Sequence, residues 1–182
     1  MGMKRLTILA IAGNILLCVP YTSIAQKQHK SISFKKEVLT NDFISEGVTI
    51  ADVDKDGKTD VLAGTHWFKA PSWQKMDLAA PLKFKTTIYG NAFLHFALDV
   101  NHDGWQDLIR IDFPGKPAWW HENPANKKGH WKQHMIYPSV GNESPAMVDI
   151  DGDGRPDLLC NNSNEKKVVW VSSPAKAGDA WT

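Results

Sequence analysis

The stretch Asp149–Leu159, DIDGDGRPDLL, puts four aspartates into nine residues and then runs straight into an apolar segment. Like charges crowded this closely repel one another, so the spacing must serve something that offsets the cost. The pattern returns as DVDKDGKTDVL from Asp52 and DVNHDGWQDLI from Asp99. In every copy side-chain oxygens stand at the first, third, fifth and ninth places: Asp52, Asp54, Asp56 and Asp60; Asp99, Asn101, Asp103 and Asp107; Asp149, Asp151, Asp153 and Asp157. Alternate residues can turn inward together, and such a set suits a hard cation that takes roughly six to eight oxygens at about 2.3–2.6 Å. The backbone carbonyls of the seventh residues, Lys58, Trp105 and Arg155, are further candidate ligands. Calcium is favoured over zinc because no loop offers a thiolate or a group of imidazoles. Gly57, Gly104 and Gly154 stand sixth, where a sharp turn calls for positive φ and a side chain would be penalised.

An EF-hand opens in the same way but needs a glutamate at the twelfth place and helices on both sides. Here the twelfth residues are Ala63, Arg110 and Cys160, and short apolar runs flank the loops, so that reading fails. The plain alternative, three solvated Asp-Gly turns, is hard to square with three copies of one five-position pattern. Eleven of the fifteen aspartates lie in the loops. Up to three calcium ions, each binding only the folded form, would turn their repulsion into a structural staple. Asn101 leaves the second loop one charge poorer, and it is expected to be the weakest site.

Working outward, each loop is followed by a tryptophan segment ending in proline: WFKAP from Trp67, WHENP from Trp120 and WVSSP from Trp170. Aromatic residues then open the next run at Phe34, Phe84, Trp131 and Trp181, separated by 50, 47 and 50 residues. A period of this length belongs to solenoids, propellers or arrays. VTIADV and VLAG, FALDV and LIRI, AMVDI and LLC, and KVVWV are too short for helices and rich in strand formers. The one candidate helix is a turn or two around WQKMDLAA. Four strands per repeat are expected, one before the loop, one after it, the tryptophan run, and the run that opens the next unit. The fold class is therefore all-β, a partial β-propeller of about three four-stranded blades with a cation loop in a hairpin of each. The repeats run over about 34–83, 84–130 and 131–180, with a fourth begun at Trp181. NPANKKG and SSPAKAG carry the turn residues expected between outer strands. Because a closed propeller needs at least about four blades, further blades are expected, from a longer gene product or from oligomerisation.

Composition limits the partners. The chain carries 21 basic and 20 acidic side chains, which gives no reason to expect nucleic acid. Residues 1–25, with Lys4 and Arg5 before LTILAIAGNILLCV and small residues Ser23 and Ala25 before Gln26, read as a secretory signal peptide; the apolar core is short for a membrane span, and no transmembrane anchor is expected. Leu17 stands where a lipid-attachment signal at Cys18 would carry a small residue. The domain, residues 26–182, holds Cys160 as its one cysteine, so no internal disulfide can form. A secreted, periplasmic or cell-surface location follows.

These loops resemble the FG-GAP and VCBS repeat proteins, whose blades carry D-x-[DN]-x-[DN]-G-x-x-D calcium loops and which also build the integrin α-subunit head. The resemblance covers Phe34–Thr182 and implies a propeller of seven blades in the complete fold; the literal Phe-Gly and Gly-Ala-Pro signatures are absent. SEGVTIADVDKDGKTDVLAG, FPGKPAWWHENP and NESPAMVDIDGDGRPDLLC look like the propeller part of bacterial proteins related to aldos-2-ulose dehydratases, which are sugar lyases. That likeness would make His66, His95, His121 and His134 candidates for a metal-assisted sugar site, whereas each alone reads as a packing or surface residue. His102, inside the second loop, should point outward. Trp67, Trp120 and Trp170 recur in register and are expected to pack between blades. Trp73 and Trp119 fall outside that register and could stack on a sugar. Glu46 and Glu143, six residues ahead of their loops, suggest a rim role. The expected function is a secreted calcium-binding propeller module that binds carbohydrate or an extracellular protein without catalysis, the alternative being part of a sugar dehydratase.

Overall fold

The computed structural model describes residues 31–176 and 178–182, so the leader at 1–25 lies outside the described residues. Eleven strands and no helix are found there, arranged as three antiparallel sheets. The first sheet is β1 (Thr49–Ala51), β2 (Asp60–Ala63), β3 (His66–Lys69) and β4 (Gln74–Asp77). The second is β5 (Leu94–Leu98), β6 (Asp107–Ile111), β7 (Lys116–Glu122) and β8 (Lys132–Val140). The third is β9 (Ala146–Val148), β10 (Asp157–Asn162) and β11 (Lys167–Val171). Strands follow chain order within every sheet, the up-and-down meander of a propeller blade. The chain is a partial β-propeller of three blades.

Two apolar layers lie between the blades, as the period-2 alternation of strand side chains requires. Between the first and second, Ala51, Val53 and Leu62, with Trp67, meet Leu108, Trp131 and Ala97. Between the second and third, Val100, Ile109, Ile111 and Trp120 meet Leu158, Cys160 and Val171, with Met147 and Val169 alongside. Trp67 and Trp120 thus pack between blades as expected. Trp170 does not: it is 47% exposed.

The fourth strands depart from expectation in two blades: the first takes its own from an unexpected segment, and the third sheet has three strands among the described residues. Trp131 does introduce β8, but the run FKTTIY from Phe84 forms no strand, and neither does FKKEVL from Phe34. The first blade is instead completed by β4, which falls inside the WQKMDLAA segment read as a candidate helix. The cause is connection length. Residues 70–73 suffice to join β3 to β4, and Trp73 N–H donates to Lys69 O at 2.7 Å to close the turn, with Trp73 at φ 56°. In the second blade the longer NPANKKG connection delays the return until Lys132, and Glu122 pairs with Lys132. Ser172 and Thr182 exchange backbone bonds in the third blade, at 2.6 and 3.2 Å. Both members of that pair lie 50 residues beyond Glu122 and Lys132.

Candidate functional site

Each loop joins the first two strands of its blade, so the hairpin ends are fixed before any side chain in the loop is considered. The sixth-place glycines adopt φ 81°, 84° and 86°, the left-handed turn that their lack of a Cβ allows. The fourth residues are left-handed as well: Lys55 at 56°, His102 at 58° and Gly152 at 80°. Sequence reading missed this second turn, although Gly152 was a signal for it. His102 is exposed, as expected.

The opening aspartates fold the turns around themselves. Asp52 accepts from Asp56 and Gly57 N–H at 3.2 and 2.9 Å, Asp99 from Asp103 and Gly104 at 3.1 and 2.8 Å, and Asp149 from Gly152 and Gly154 at 2.7 and 2.9 Å. The fifth aspartates accept from the seventh residues: Lys58, Trp105 and Arg155 N–H reach Asp56, Asp103 and Asp153 at 3.0, 2.8 and 2.8 Å. These bonds hold the carboxylates in place while leaving lone pairs for a further partner.

The ninth aspartates have a role that the ligand pattern alone did not disclose. Asp60, Asp107 and Asp157 are fully buried and open β2, β6 and β10. One oxygen of each accepts the N–H of the loop's second residue, Val53, Val100 or Ile150, at 3.2, 3.0 and 3.1 Å. The other accepts the N–H just beyond the tryptophan strand, Ala70, Asn123 or Ser173, at 2.8, 2.7 and 2.9 Å. Each therefore clips three parts of its own blade together. Burial pushes the Asp107 carboxyl up to about 7 and raises that of Asp60. A positive charge nearby would oppose that shift.

The loops differ in how they gather oxygens. One carboxylate oxygen from each of Asp52, Asp54 and Asp60 lies within 4.8 Å of the others, and so do those of Asp149, Asp151 and Asp153. No such acidic group forms in the second loop among the described residues; there the Asn101 amide donates to Asp103 at 3.2 Å. Basic side chains touch the other two. Lys69 bonds Asp54 and stands 3.2 Å from Asp56, while Arg155 bonds Asp153. Neighbouring loops also meet, since Lys55 Nζ lies 4.3 Å over the Trp105 ring. Asn123 and Asn126 from the second blade donate to Val53 O and Asp54 O of the first loop at 2.8 and 3.0 Å.

The four histidines are not brought to one pocket. His66 is buried, bonds Asp77 at 2.8 Å and borders a cavity of about 610 Å³ lined by the 41–44 and 81–84 segments. His134 stacks on Trp120, bonds Glu122 at 2.8 Å and borders a separate cavity of about 270 Å³. His95 and His121 are buried in the second blade on the side of Arg110. Gly64 N–H donates to His95 Nε2 at 3.0 Å, which requires a lone pair there and hence a neutral ring. Burial, reinforced by the Arg110 charge, holds His95 down to about 4 and His121 to about 3. Neither ring nitrogen of His121 has a partner. Arg110 in turn bonds Asp112 at 3.0 Å, and Trp119 Nε1 donates to Asp112 at 2.9 Å, so Trp119 is tied into this buried group and not presented as a platform. Trp73 is half-buried in its turn. Glu46 accepts from Gly90 N–H at 2.9 Å, in keeping with a rim role, while Glu143 is exposed.

No described helix is long and apolar enough to cross a membrane. Searches against curated proteins and against solved structures return no match. Residues 99–160 match the family model for an FG-GAP-like repeat, and residues 141–182 match that for the FG-GAP repeat; both concern the repeat and neither bears on aldos-2-ulose dehydratases. These matches support FG-GAP repeats over residues 99–182, and the same loop, tryptophan and strand register is already present from Asp52.

Proposed function

We propose that this is a secreted or cell-surface, calcium-stabilised propeller module that binds carbohydrate or an extracellular protein and does no chemistry itself. The observation that carries the calcium reading is the oxygen-only donor set repeated at the first, third, fifth and ninth places of three loops. Two of those sets already have three carboxylates within 4.8 Å. The residues fit a hard divalent cation: Asp52, Asp54, Asp56 and Asp60 would hold one ion, Asp99, Asn101, Asp103 and Asp107 a second, and Asp149, Asp151, Asp153 and Asp157 a third. When bound, the ion neutralises crowded carboxylates and cross-links the loop to the strands that it joins. An extracytoplasmic location rests on the leader read at residues 1–25.

Thermal unfolding of Asp151→Ala in calcium and in chelator tests the reading. The substitution should lower the midpoint in calcium and leave it nearly unchanged in chelator, because only the ion-bound state loses a ligand. Equal losses in both media would mean that the loop holds no metal.

Binding is favoured over sugar dehydration because His66 and His134 border different cavities while His95 and His121 are buried, so among the described residues these four imidazoles do not converge on a substrate-sized space. Incubation with an aldos-2-ulose, followed for loss of water by the absorbance of an unsaturated ketone, should give no product. Titration with soluble oligosaccharides and with extracellular protein, read by tryptophan fluorescence, should saturate for one of them.

A further inference from the structure

Equivalent positions in the three blades carry different charges beside equivalent loops. Two residues beyond the repeat tryptophans Trp67, Trp120 and Trp170 stand Lys69, Glu122 and Ser172. Lys69 ends β3 and turns back on the first loop, where its ammonium donates to Asp54 and lies 3.2 Å from Asp56. Those two are the third- and fifth-place donors of that loop. Glu122 instead bonds His134, and Ser172 carries no charge. Arg155, the basic side chain in the third loop, belongs to the loop itself and bonds Asp153 alone. Among the described residues the first loop is thus the one in which a cation from another strand bridges two donors.

The backbone fixes where this ammonium can reach. Lys69 pairs with Gln74 across the sheet, and its carbonyl accepts Trp73 N–H at 2.7 Å. The next N–H, that of Ala70, donates to Asp60 at 2.8 Å, and Asp60 is the ninth-place donor of the same loop. The stem therefore starts one residue from the contact that closes the loop. A charge tethered so close has a high effective concentration at its target, and holding the stem's origin lowers the entropy lost when the contact forms. Asp54 shows what the contact leaves undone: one oxygen accepts from Lys69, while the other is buried without a partner. A buried carboxylate oxygen left unpaired is costly, and an ion held by several oxygens would satisfy what one ammonium does not.

Resting on the calcium reading above, we propose that Lys69 is a built-in competitor for the first loop, its ammonium neutralising Asp54 and Asp56 until calcium displaces it from both. The competition has two consequences of opposite sign. At low calcium Lys69 relieves the repulsion among the first loop's aspartates and helps to hold the loop folded. At high calcium the same contact must be given up, so the site binds less tightly than its four carboxylates would by themselves. Glu122 and Ser172 offer no such substitute in the other two blades.

Calorimetric titration with calcium chloride and thermal unfolding in chelator, both on the whole chain, test this with Lys69→Met, which keeps an unbranched apolar stem. Lys58→Met is the control, because Lys58 lies 3.6 Å from Asp56 and its loss removes the same charge without touching Asp54. Lys69→Met should tighten one site by about tenfold, the worth of one charge-assisted contact discounted for its partial exposure. It should also lower the unfolding midpoint in chelator, and Lys58→Met should change both readings far less. Adding Asp56→Asn should abolish the gain in affinity, which places it in the first loop. Circular dichroism checks folding, and Lys69→Gln replaces Lys69→Met if that variant does not fold. Equal shifts in Lys69→Met and Lys58→Met would reduce the effect to net charge and overturn the inference, as would a gain that survives Asp56→Asn. Unchanged or weaker binding in Lys69→Met, with binding intact in the parent chain, overturns the competition and leaves the calcium reading standing. Absence of calcium binding from the parent chain and from both variants overturns that reading and the competition together.

Discussion

The second and third blades have nearly the same strands in the same register, yet they sit in different surroundings. In the second, side chains on both faces are buried between neighbours; in the third, one face packs and the other meets water. The pairing of Leu159 with Trp170 copies that of Ile109 with Trp120, so hydrogen bonding and side-chain alternation set the blade while the neighbour sets its burial. A position's contribution to stability should then follow what covers it. Ile109→Ala removes packing on both sides of a closed layer and should cost about 3 kcal/mol in denaturant unfolding. Leu159→Ala, at a position that meets water, should cost under about 1 kcal/mol. Equal costs would mean that the sheet and not the interface holds these residues.

The same pair of blades differs at the residue after the tryptophan, His121 in one and Val171 in the other, both buried. An unfolded histidine titrates near 6.5, whereas burial and then Arg110 hold His121 to about 3. Between those values the unfolded chain binds a proton that the folded chain does not, so the stability due to this group is complete above about pH 6.5 and falls as the pH drops. The slope is about 1.4 kcal/mol per pH unit for one histidine. His95, held to about 4, adds in the same direction, while the raised carboxyls of Asp60, Asp107 and Asp112 oppose it. All of these remain in His121→Val, so the difference isolates the one ring. That variant should lose one histidine's worth of slope between pH 6.5 and 4.5, and unchanged curves would mean that His121 takes up a proton without leaving its place.

The proposed calcium binding gives a smaller contrast between the two blades. The second loop carries Asn101 where the third has Asp151, and its donors do not form a compact acidic group. Charge count tunes such sites, so if the proposed calcium binding holds, Asn101→Asp should tighten the second of the three sites by about tenfold in a resolved titration. If the unaltered second loop already binds most tightly, backbone geometry outweighs charge.

Periodicity made the blades legible. The 47- and 50-residue spacing, the tryptophans and the sixth-place glycines were enough for the sheets, the hairpin position of each loop and the packing of Trp67 and Trp120. Connection length was not legible, because Phe84 and Trp131 look alike while the four-residue turn at 70–73 lets β4 form first. Nor was the double duty of Asp60, Asp107 and Asp157, since a carboxylate that accepts two backbone N–H groups has the same letter as one that binds an ion. The histidines needed coordinates altogether: nothing in the spacing of His95 and His121 announces that Arg110 lies on the same face.

The finest contrast lies at the fourth loop place, where His102 at φ 58° does what Gly152 does at 80°. A left-handed backbone costs a residue with a Cβ about 1–2 kcal/mol, and glycine escapes that at the expense of greater freedom in the unfolded chain, worth about 0.5–1 kcal/mol. The balance favours His102→Gly by about 0.5 kcal/mol, read as a shift in denaturant midpoint with unchanged slope. Gly152→His should lose a similar amount. Lys55→Gly separates backbone from side chain, because the same relief at φ 56° comes with loss of the Lys55–Trp105 contact, and the two should nearly cancel. A full gain in Lys55→Gly would mean that the cation over the ring contributes nothing, and no loss in Gly152→His would mean that these turns relax to accept a side chain.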